Sequence, residues 1–244
     1  MTEPATGRLP DFLGIGAQKA GTTWLFEMLS DHPGLAFPAG KEVHFWDWNR
    51  GRGLDWYRAQ FAGASDGARI GDVTPGYAVL PAESVAAVHA AMPGARLLFI
   101  ARNPVERAWS AALMVLRWGL MYEREASDAW FLDVFRSEQS LGRGDYARCL
   151  ETWLGAFPRE QVLILLYDDL VADPAGVLAA ACRHLAIDPA PVLRLSAERL
   201  AQRVNAGEGT PLRPSLRGPL LDLYRPRVAA FERLIGRELP GWRE

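Results

Sequence analysis

Phe12-Leu13-Gly14-Ile15-Gly16-Ala17-Gln18-Lys19-Ala20-Gly21-Thr22-Thr23-Trp24-Leu25-Phe26-Glu27-Met28-Leu29-Ser30 is the stretch that decides the fold. Phe12 to Ile15 is a brief apolar run that reads as a buried strand, ended by Gly16. From Thr22 to Ser30 the pattern turns helical, with Leu25, Met28 and Leu29 on one face. His32-Pro33-Gly34 stops that helix. Between strand and helix, Gly16 and Gly21 have the G-x-x-x-x-G spacing of a phosphate-binding loop. In a nucleoside-triphosphatase the next residues are Lys and then Ser or Thr. Here they are Thr22 and Thr23, and the lysine lies inside the loop at Lys19. The physics is still that of anion binding. Gly21 permits close backbone approach, and amides at the helix start point at an anion with the dipole behind them. Thr22 and Thr23 add hydroxyl donors, and Lys19 adds a mobile charge. A plain βα turn with a solvated lysine is the alternative.

Outward from this loop, strand and helix alternate. Arg96 to Ala101 and Val162 to Tyr167 are continuous apolar runs, the pattern of parallel strands covered on both faces. Ala68 to Asp72 is a further strand candidate. Asn103 and Pro104 supply an N-cap and a first-turn proline, followed by an apolar stripe of Val105, Trp109, Ala112 and Leu116. Pro174 opens another helix to about Leu185. The segment from Trp118 to Gly144 reads as less regular, rich in aromatics and charges. The C-terminal third reads as helical, with a polar loop at Asn205 to Pro214. The fold class is α/β, with a mainly parallel central sheet flanked by helices.

Composition narrows the function classes. A chain of 244 residues is the size of one domain. Residues 1–10 read as a loose arm and 11–244 as a single domain. With 49% hydrophobic and 23% charged residues the chain is that of a soluble globular protein. The 27 basic and 29 acidic residues give 27 − 29 = −2, which argues against a dedicated nucleic-acid binder and leaves room for a local basic pocket. Cys149 and Cys182 alone make neither a disulfide framework nor a zinc cluster. No apolar run approaches the roughly 20 residues of a membrane helix. Met1 to Thr6 lack the pattern of a secretory signal, so the expected location is the cytoplasm. His32, His44, His89 and His184 are scattered, so no metal is expected.

A second anion feature follows the Arg96 strand. Arg102 stands at the carboxyl end of that strand, the edge where open α/β sheets bind ligands. Ser110 lies about 9 Å along the next helix, at roughly 1.5 Å per residue. A guanidinium fork and a hydroxyl suit a second phosphate. A surface arginine and an ordinary helix serine remain the alternative for each residue alone.

Taken in order, these motifs resemble the sulfotransferase family that uses 3′-phosphoadenylyl sulfate. Gly16 to Thr23 is similar to its 5′-phosphosulfate loop, and Arg102 to Ser110 to its 3′-phosphate motif. Lys41-Glu42-Val43-His44-Phe45-Trp46-Asp47 resembles the acidic motif of the heparan sulfate glucosaminyl branch and its bacterial relatives. Gly144-Asp145-Tyr146, Trp153, Phe157-Pro158 and Leu165 to Leu170 continue in the family's order. The resemblance runs from about Phe12 to Leu185. It implies a P-loop-like three-layer sandwich. It implies that Lys19, Ala20, Gly21, Thr22, Thr23 and Trp24 form the 5′-phosphosulfate site, with Arg102 and Ser110 on the 3′-phosphate. Asn205 to Arg213 occupies the place where the family closes over the nucleotide, with a poor match. One departure concerns the acceptor: Asp72-Val73-Thr74-Pro75 carries Val73 where the glucosaminyl enzymes have lysine, and Lys41 is the candidate replacement.

The reaction implied is in-line transfer of a sulfuryl group to a hydroxyl, or secondarily an amine, of a saccharide or small metabolite. The product nucleotide is 3′-phosphoadenosine 5′-phosphate. Lys19 would stabilise the leaving phosphate. Glu42 is the first choice of general base, its pKa raised by burial beside Phe45 and Trp46. His44 is the rival, because imidazole titrates near neutrality. Two other readings stand beside this one. Val162 to Asp168 mimics a Walker B strand, which would make a magnesium-dependent P-loop kinase or nucleoside-triphosphatase. A non-catalytic nucleotide-binding module is the other. Oligomeric state is not legible.

Overall fold

The computed structural model describes residues 7–202 and 209–244. The chain opens with β1 (Phe12–Gly16), α1 (Thr22–Ser30), β2 (Leu35–Ala36), α2 (Leu54–Ala59), β3 (Arg69–Val73) and α3 (Ala82–Ala91). It continues through β4 (Arg96–Ala101), α4 (Pro104–Trp118), α5 (Asp128–Arg136), α6 (Glu138–Gly144) and α7 (Tyr146–Leu154). It ends with β5 (Val162–Leu166), α8 (Tyr167–Ala172), α9 (Pro174–His184), α10 (Ala190–Leu193), α11 (Ala197–Ala201) and α12 (Pro214–Ile235).

The five strands form one sheet in the order β2-β3-β1-β4-β5, every neighbouring pair parallel. β1 is central and buried along its whole length. The chain reaches β3 on one side of it and β4 on the other. Loops leaving the carboxyl ends of these strands diverge there, which opens the crevice where α/β sheets bind ligands. The loop 17–21 lies at that crevice.

Burial explains the strand sequences. Leu97, Leu98, Phe99 and Ile100 of β4 are at most 1% exposed, because β4 has strands on both sides and side chains on both faces. Burying each such side chain is worth about 1.5–3 kcal/mol. β5 is the edge strand, and its middle residues are only partly buried. Asn103 caps α4 as expected, its Oδ1 accepting the Val105 amide at 3.0 Å. The α4 stripe of Val105, Trp109, Ala112 and Leu116 packs with Phe131, Phe135, Leu216, Leu220 and Tyr224 in a second core beside the sheet.

Several expectations need correction. The Val162 strand stops at Leu166, and Tyr167 already begins α8, whose first turn carries Asp168 and Asp169 where the helix dipole favours acids. The strand expected over 68–72 runs from Arg69 to Val73. β2, two residues long, is too short to show any period in sequence. Trp118 to Gly144 is more ordered than it reads: Ser127 caps α5 and Ser137 caps α6. Phe131 and Phe135 carry the helical spacing of α5, hidden in sequence by surrounding aromatics. The arm expected over 1–10 does not extend to residue 10. Pro10 is buried, Leu9 packs on the core, and the Arg8 guanidinium reaches the Ala68 carbonyl. Residues 1–6 lie outside the described residues, as does the 205–208 part of the polar loop.

Candidate active site

The loop after β1 is built to present amides. Gly21 caps α1 with φ 96°, no side chain caps the helix, and no acid sits in its first turn. The first-turn amides of α1 are therefore uncommitted to any capping group, the usual arrangement for an anion. Glycine is required at this position. A Cβ there would meet the Tyr167 ring at 3.1 Å, in a backbone region that disfavours side chains. Lys19 has φ 67°, also left-handed. Thr22 is buried and Thr23 partly so. Trp24 is buried and donates its indole N–H to the Leu200 carbonyl at 3.0 Å, which ties α1 to α11.

Cations converge on this loop. Burial lowers the Lys19 pKa, and the charges of Arg117, Arg102 and Lys41 lower it further, against Glu42, which raises it. A chain of net charge −2 thus gathers four cations around one uncapped helix start. Arg102 is held from three sides. Its Nε and Nη2 donate to Glu106 at 3.1 and 2.8 Å, its Nη1 donates to the Lys19 carbonyl at 3.4 Å, and its guanidinium lies 4.6 Å over the Tyr167 ring. The Arg102 carbonyl accepts the Tyr146 hydroxyl at 2.7 Å, which accounts for a Gly144-Asp145-Tyr146 string downstream. Ser110 follows Glu106 by one turn, on the same side of α4 and partly exposed.

The acidic motif lies beside the loop. Lys41 and Glu42 form an ion pair, with Lys41 the more buried of the two. His44 Nδ1 lies 2.8 Å from Asp47 Oδ2, and its Nε2 lies 3.7 Å from Glu42. Asp47 Oδ1 accepts the Trp48 amide at 2.9 Å. The Trp48 indole stacks on the His44 ring at 3.6 Å and 7°, yet is 73% exposed. Glu42 and His44 both have left-handed backbone, with φ 67° and 52°. Gly76 closes the other side: a Cβ there would come within 2.6 Å of Asp47 Oδ2.

The environment expected for Glu42 is absent. Its side chain is 48% exposed, while Phe45 and Trp46 are carried inward by the turn 45–49. Phe45 stacks on Tyr57 at 4.3 Å instead. The candidate replacement for the lysine missing at Val73, Lys41, adjoins that position through the backbone. The Glu42 amide donates to the Val73 carbonyl at 3.0 Å, so Lys41 is only one residue from that position in space. Val73 itself is buried.

One group was missed in sequence. Arg143 on α6 donates to Gln18 of the loop at 2.5 Å, its Nε buried without a partner among the described residues, its pKa lowered by burial and the Arg107 charge, against Asp47. It is thus bonded to the loop after β1 and lies within the field of Asp47. Arg117 lies in the field of Lys19, and Asp47, known only as part of the acidic motif, proves to be the partner of His44. Only Asp47 had a local signal, its three-residue spacing from His44.

Other expected groups point elsewhere. Asp168 accepts the Trp242 indole N–H at 2.6 Å, and Asp169 takes both guanidinium nitrogens of Arg237 at 2.6 and 2.8 Å. Asp168, the acid of the Walker-B-like stretch, is thus engaged with the C-terminal segment, as is its neighbour Asp169. Arg213 binds Glu123 and Asp128 and lies 4.8 Å over Phe131, bracing α12 rather than the loop. Of the aromatics, Trp46 and Tyr57 are core, while Trp48, Trp118 and Tyr122 are exposed. No described helix is long and apolar enough to cross a membrane.

The fold has relatives among known proteins. The sulfotransferase domain model matches residues 9–204. Human heparan sulfate glucosamine 3-O-sulfotransferase 6 is 36% identical over 176 residues, 71% of this chain and 51% of that protein. Human heparan sulfate glucosamine 3-O-sulfotransferase 3A1 is 32% identical over 186 residues, 73% of this chain and 44% of that protein. The chain thus spans about half the length of the curated relatives it matches. A sulfotransferase crystal structure from Alicyclobacillus acidocaldarius superposes with TM-score 0.75 at 26% identity, covering 96% of this chain and 99% of that one. A mouse sulfotransferase crystallised with PAP shares the fold at TM-score 0.55 and 15% identity.

Proposed function

The chain belongs to the sulfotransferase domain family, and from that premise we propose that it transfers a sulfuryl group from 3′-phosphoadenylyl sulfate to a hydroxyl of a saccharide or small metabolite. The observation that carries this reading is the set of three cations around Lys19, with Glu42 in the same field. The first-turn amides of α1, Lys19, Thr22 and Thr23 hold the 5′-phosphate and the sulfuryl group. Arg102 and Ser110 hold the 3′-phosphate. Trp24, by its contact with Leu200, supports the loop rather than touching the nucleotide.

In the transfer, the acceptor oxygen forms a bond to sulfur as the bond from sulfur to the 5′-phosphate oxygen breaks. Little covalent chemistry falls to the protein, so positioning and charge stabilisation dominate. Lys19 meets the charge growing on the leaving oxygen. Glu42, half exposed beside the loop, takes the acceptor proton. Asp47 accepts the Nδ1–H of His44, which aims Nε2 at Glu42. Lys41 supplies the second cation at the sulfuryl group in place of the lysine absent at Val73. A saccharide hydroxyl is the first acceptor class to try, from the similarity to the 3-O-sulfotransferases.

The magnesium-dependent kinase reading is disfavoured by the engagement of Asp168 and Asp169 with Trp242 and Arg237. Calorimetry of 3′-phosphoadenosine 5′-phosphate against ATP, with and without magnesium, tests the choice in wild type, Lys19→Ala and Arg102→Ala. Magnesium-independent preference for the bisphosphate, lost in both variants, is the expected result. Preference for ATP with magnesium sinks the proposal. Tight bisphosphate binding without turnover on a broad acceptor panel would support a non-catalytic module. Given turnover, Glu42→Gln should abolish it; near-native turnover there with loss in His44→Ala would make His44 the base.

A further inference from the structure

Asp72, the penultimate residue of β3, has no exposed surface, and no cation among the described residues pairs with it. A buried carboxylate without a counter-charge is costly unless its lone pairs are filled. Here three hydroxyls fill them. Tyr57 and Tyr77 donate to Oδ2 at 2.7 and 2.9 Å, and Thr74 donates to Oδ1 at 2.6 Å. Because a carboxylate only accepts, all three protons point inward, and the hydroxyl oxygens turn their lone pairs outward.

Those lone pairs meet one short piece of chain. The Tyr77 oxygen accepts the Phe45 amide at 2.9 Å and the Trp46 amide at 3.4 Å. The Thr74 oxygen lies 3.5 Å from the His44 amide, in line to accept it. Tyr57 lays its ring on Phe45. Three successive amides, those of His44, Phe45 and Trp46, are therefore gripped by hydroxyls that a single charge has oriented. The segment gripped begins two residues after Glu42, at His44, and both of these are in backbone conformations that side-chain-bearing residues resist.

We infer that Asp72 is a positioning residue: acting through the Tyr77 and Thr74 hydroxyls, it holds Glu42 and His44 in their reactive arrangement without touching substrate. The inference rests on the reading of Glu42 and His44 given above. An asparagine in this place keeps the shape and reverses the logic. Its amide nitrogen donates, so the hydroxyls on that side must turn their protons away. The oxygens then no longer face the His44 to Trp46 amides as paired acceptors.

The test uses Asp72→Asn and Tyr77→Phe, with near-UV circular dichroism to establish folding. The first readout is the His44 ring signal in histidine-labelled protein, assigned with His44→Gln. Stacking under Trp48 should shift it upfield in wild type, and both variants should lose most of that shift. The second is bisphosphate affinity by calorimetry, expected within twofold of wild type. The third is turnover with any saccharide hydroxyl that wild type accepts: kcat should fall at least tenfold at unchanged KM. Retention of the His44 shift in both folded variants overturns the inference, as does native kcat in either. Should Asp72→Asn not fold, Tyr77→Phe decides alone. Failure of wild type to bind the bisphosphate would refute the sulfotransferase reading while leaving the His44 signal to test Asp72.

Discussion

His44 Nδ1 and Asp47 Oδ2 lie 2.8 Å apart, on one turn of chain that also stacks Trp48 over the imidazole. The carboxylate accepts the Nδ1 proton and so fixes a proton on that nitrogen, while Nε2 lies 3.7 Å from Glu42. Asp47→Asn keeps the shape but offers an amide that can present N–H to Nδ1, inverting the tautomer. Turnover should fall on the order of 10²-fold, the scale of a misplaced acid–base group. Bisphosphate affinity, measured in parallel, should stay within a few-fold. Unchanged turnover would remove the His44–Asp47 pair from the mechanism.

Nucleotide binding should take up a proton in alkaline solution. Burial, Arg117, Arg102 and Lys41 hold the Lys19 pKa below its ordinary 10.5 in the empty site. A bound polyanion favours charged Lys19 and raises that pKa again. By linkage, affinity is greatest below the empty-site pKa of Lys19 and declines as pH rises through it. Calorimetry in buffers of different ionisation enthalpy should detect uptake in wild type at alkaline pH. Its persistence in Lys19→Met would assign the proton elsewhere.

Gly21→Ala should damage both the loop and its ligand affinity. The residue holds φ 96°, and the new methyl meets the Tyr167 ring at 3.1 Å. The left-handed backbone alone costs about 1–2 kcal/mol. Thermal denaturation should show that loss, and bisphosphate affinity should drop at least tenfold. Native affinity would mean that the loop can deliver its amides from another conformation.

Asp168→Asn and Asp169→Asn should leave bisphosphate affinity within twofold and create no magnesium dependence. Both carboxylates serve the C-terminal segment through Trp242 and Arg237. The Asp169 pair is solvent-exposed, so its loss should cost no more than about 1 kcal/mol in urea denaturation. A large loss of nucleotide binding in either variant would restore the Walker B reading.

Asp72→Asn should gain on wild type in stability as pH rises. Burial raises the Asp72 pKa above its ordinary 3.8, with the three hydroxyls opposing the shift. A carboxyl raised on folding contributes stability that is complete below its unfolded pKa and is lost as pH rises through the folded value. Asparagine has no such loss. Urea midpoints at acid and neutral pH should therefore converge or cross in favour of the variant. A wild-type advantage that grows with pH would contradict the direction of that shift.

Most of the fold was legible because its signals are local. The Gly16 to Gly21 spacing, the helix stripe of Leu25, Met28 and Leu29, the Asn103 cap and the apolar β4 run each lie within a few residues. Strand ends slipped by a residue because a dipole-favoured acid pair after Leu166 converts Tyr167 from strand to helix. The helices between Trp118 and Gly144 were hidden because their aromatic content overrides the visible period.

From its sequence alone, then, the chain determines a parallel α/β sheet with a glycine loop at its centre, an acidic Glu42-Val43-His44 motif and an arginine at a strand end. These follow from short-range periodicity, turn chemistry and helix electrostatics. Only tertiary structure decided how they meet. Arg143 reaches Gln18 across 125 residues, and Trp242 takes Asp168 across 74. Tyr77 carries the Asp72 charge to the Phe45 amide across 32 residues. A buried carboxylate chooses its partners by which hydroxyls the packed core brings within 3 Å, and no local pattern in a sequence encodes that distance.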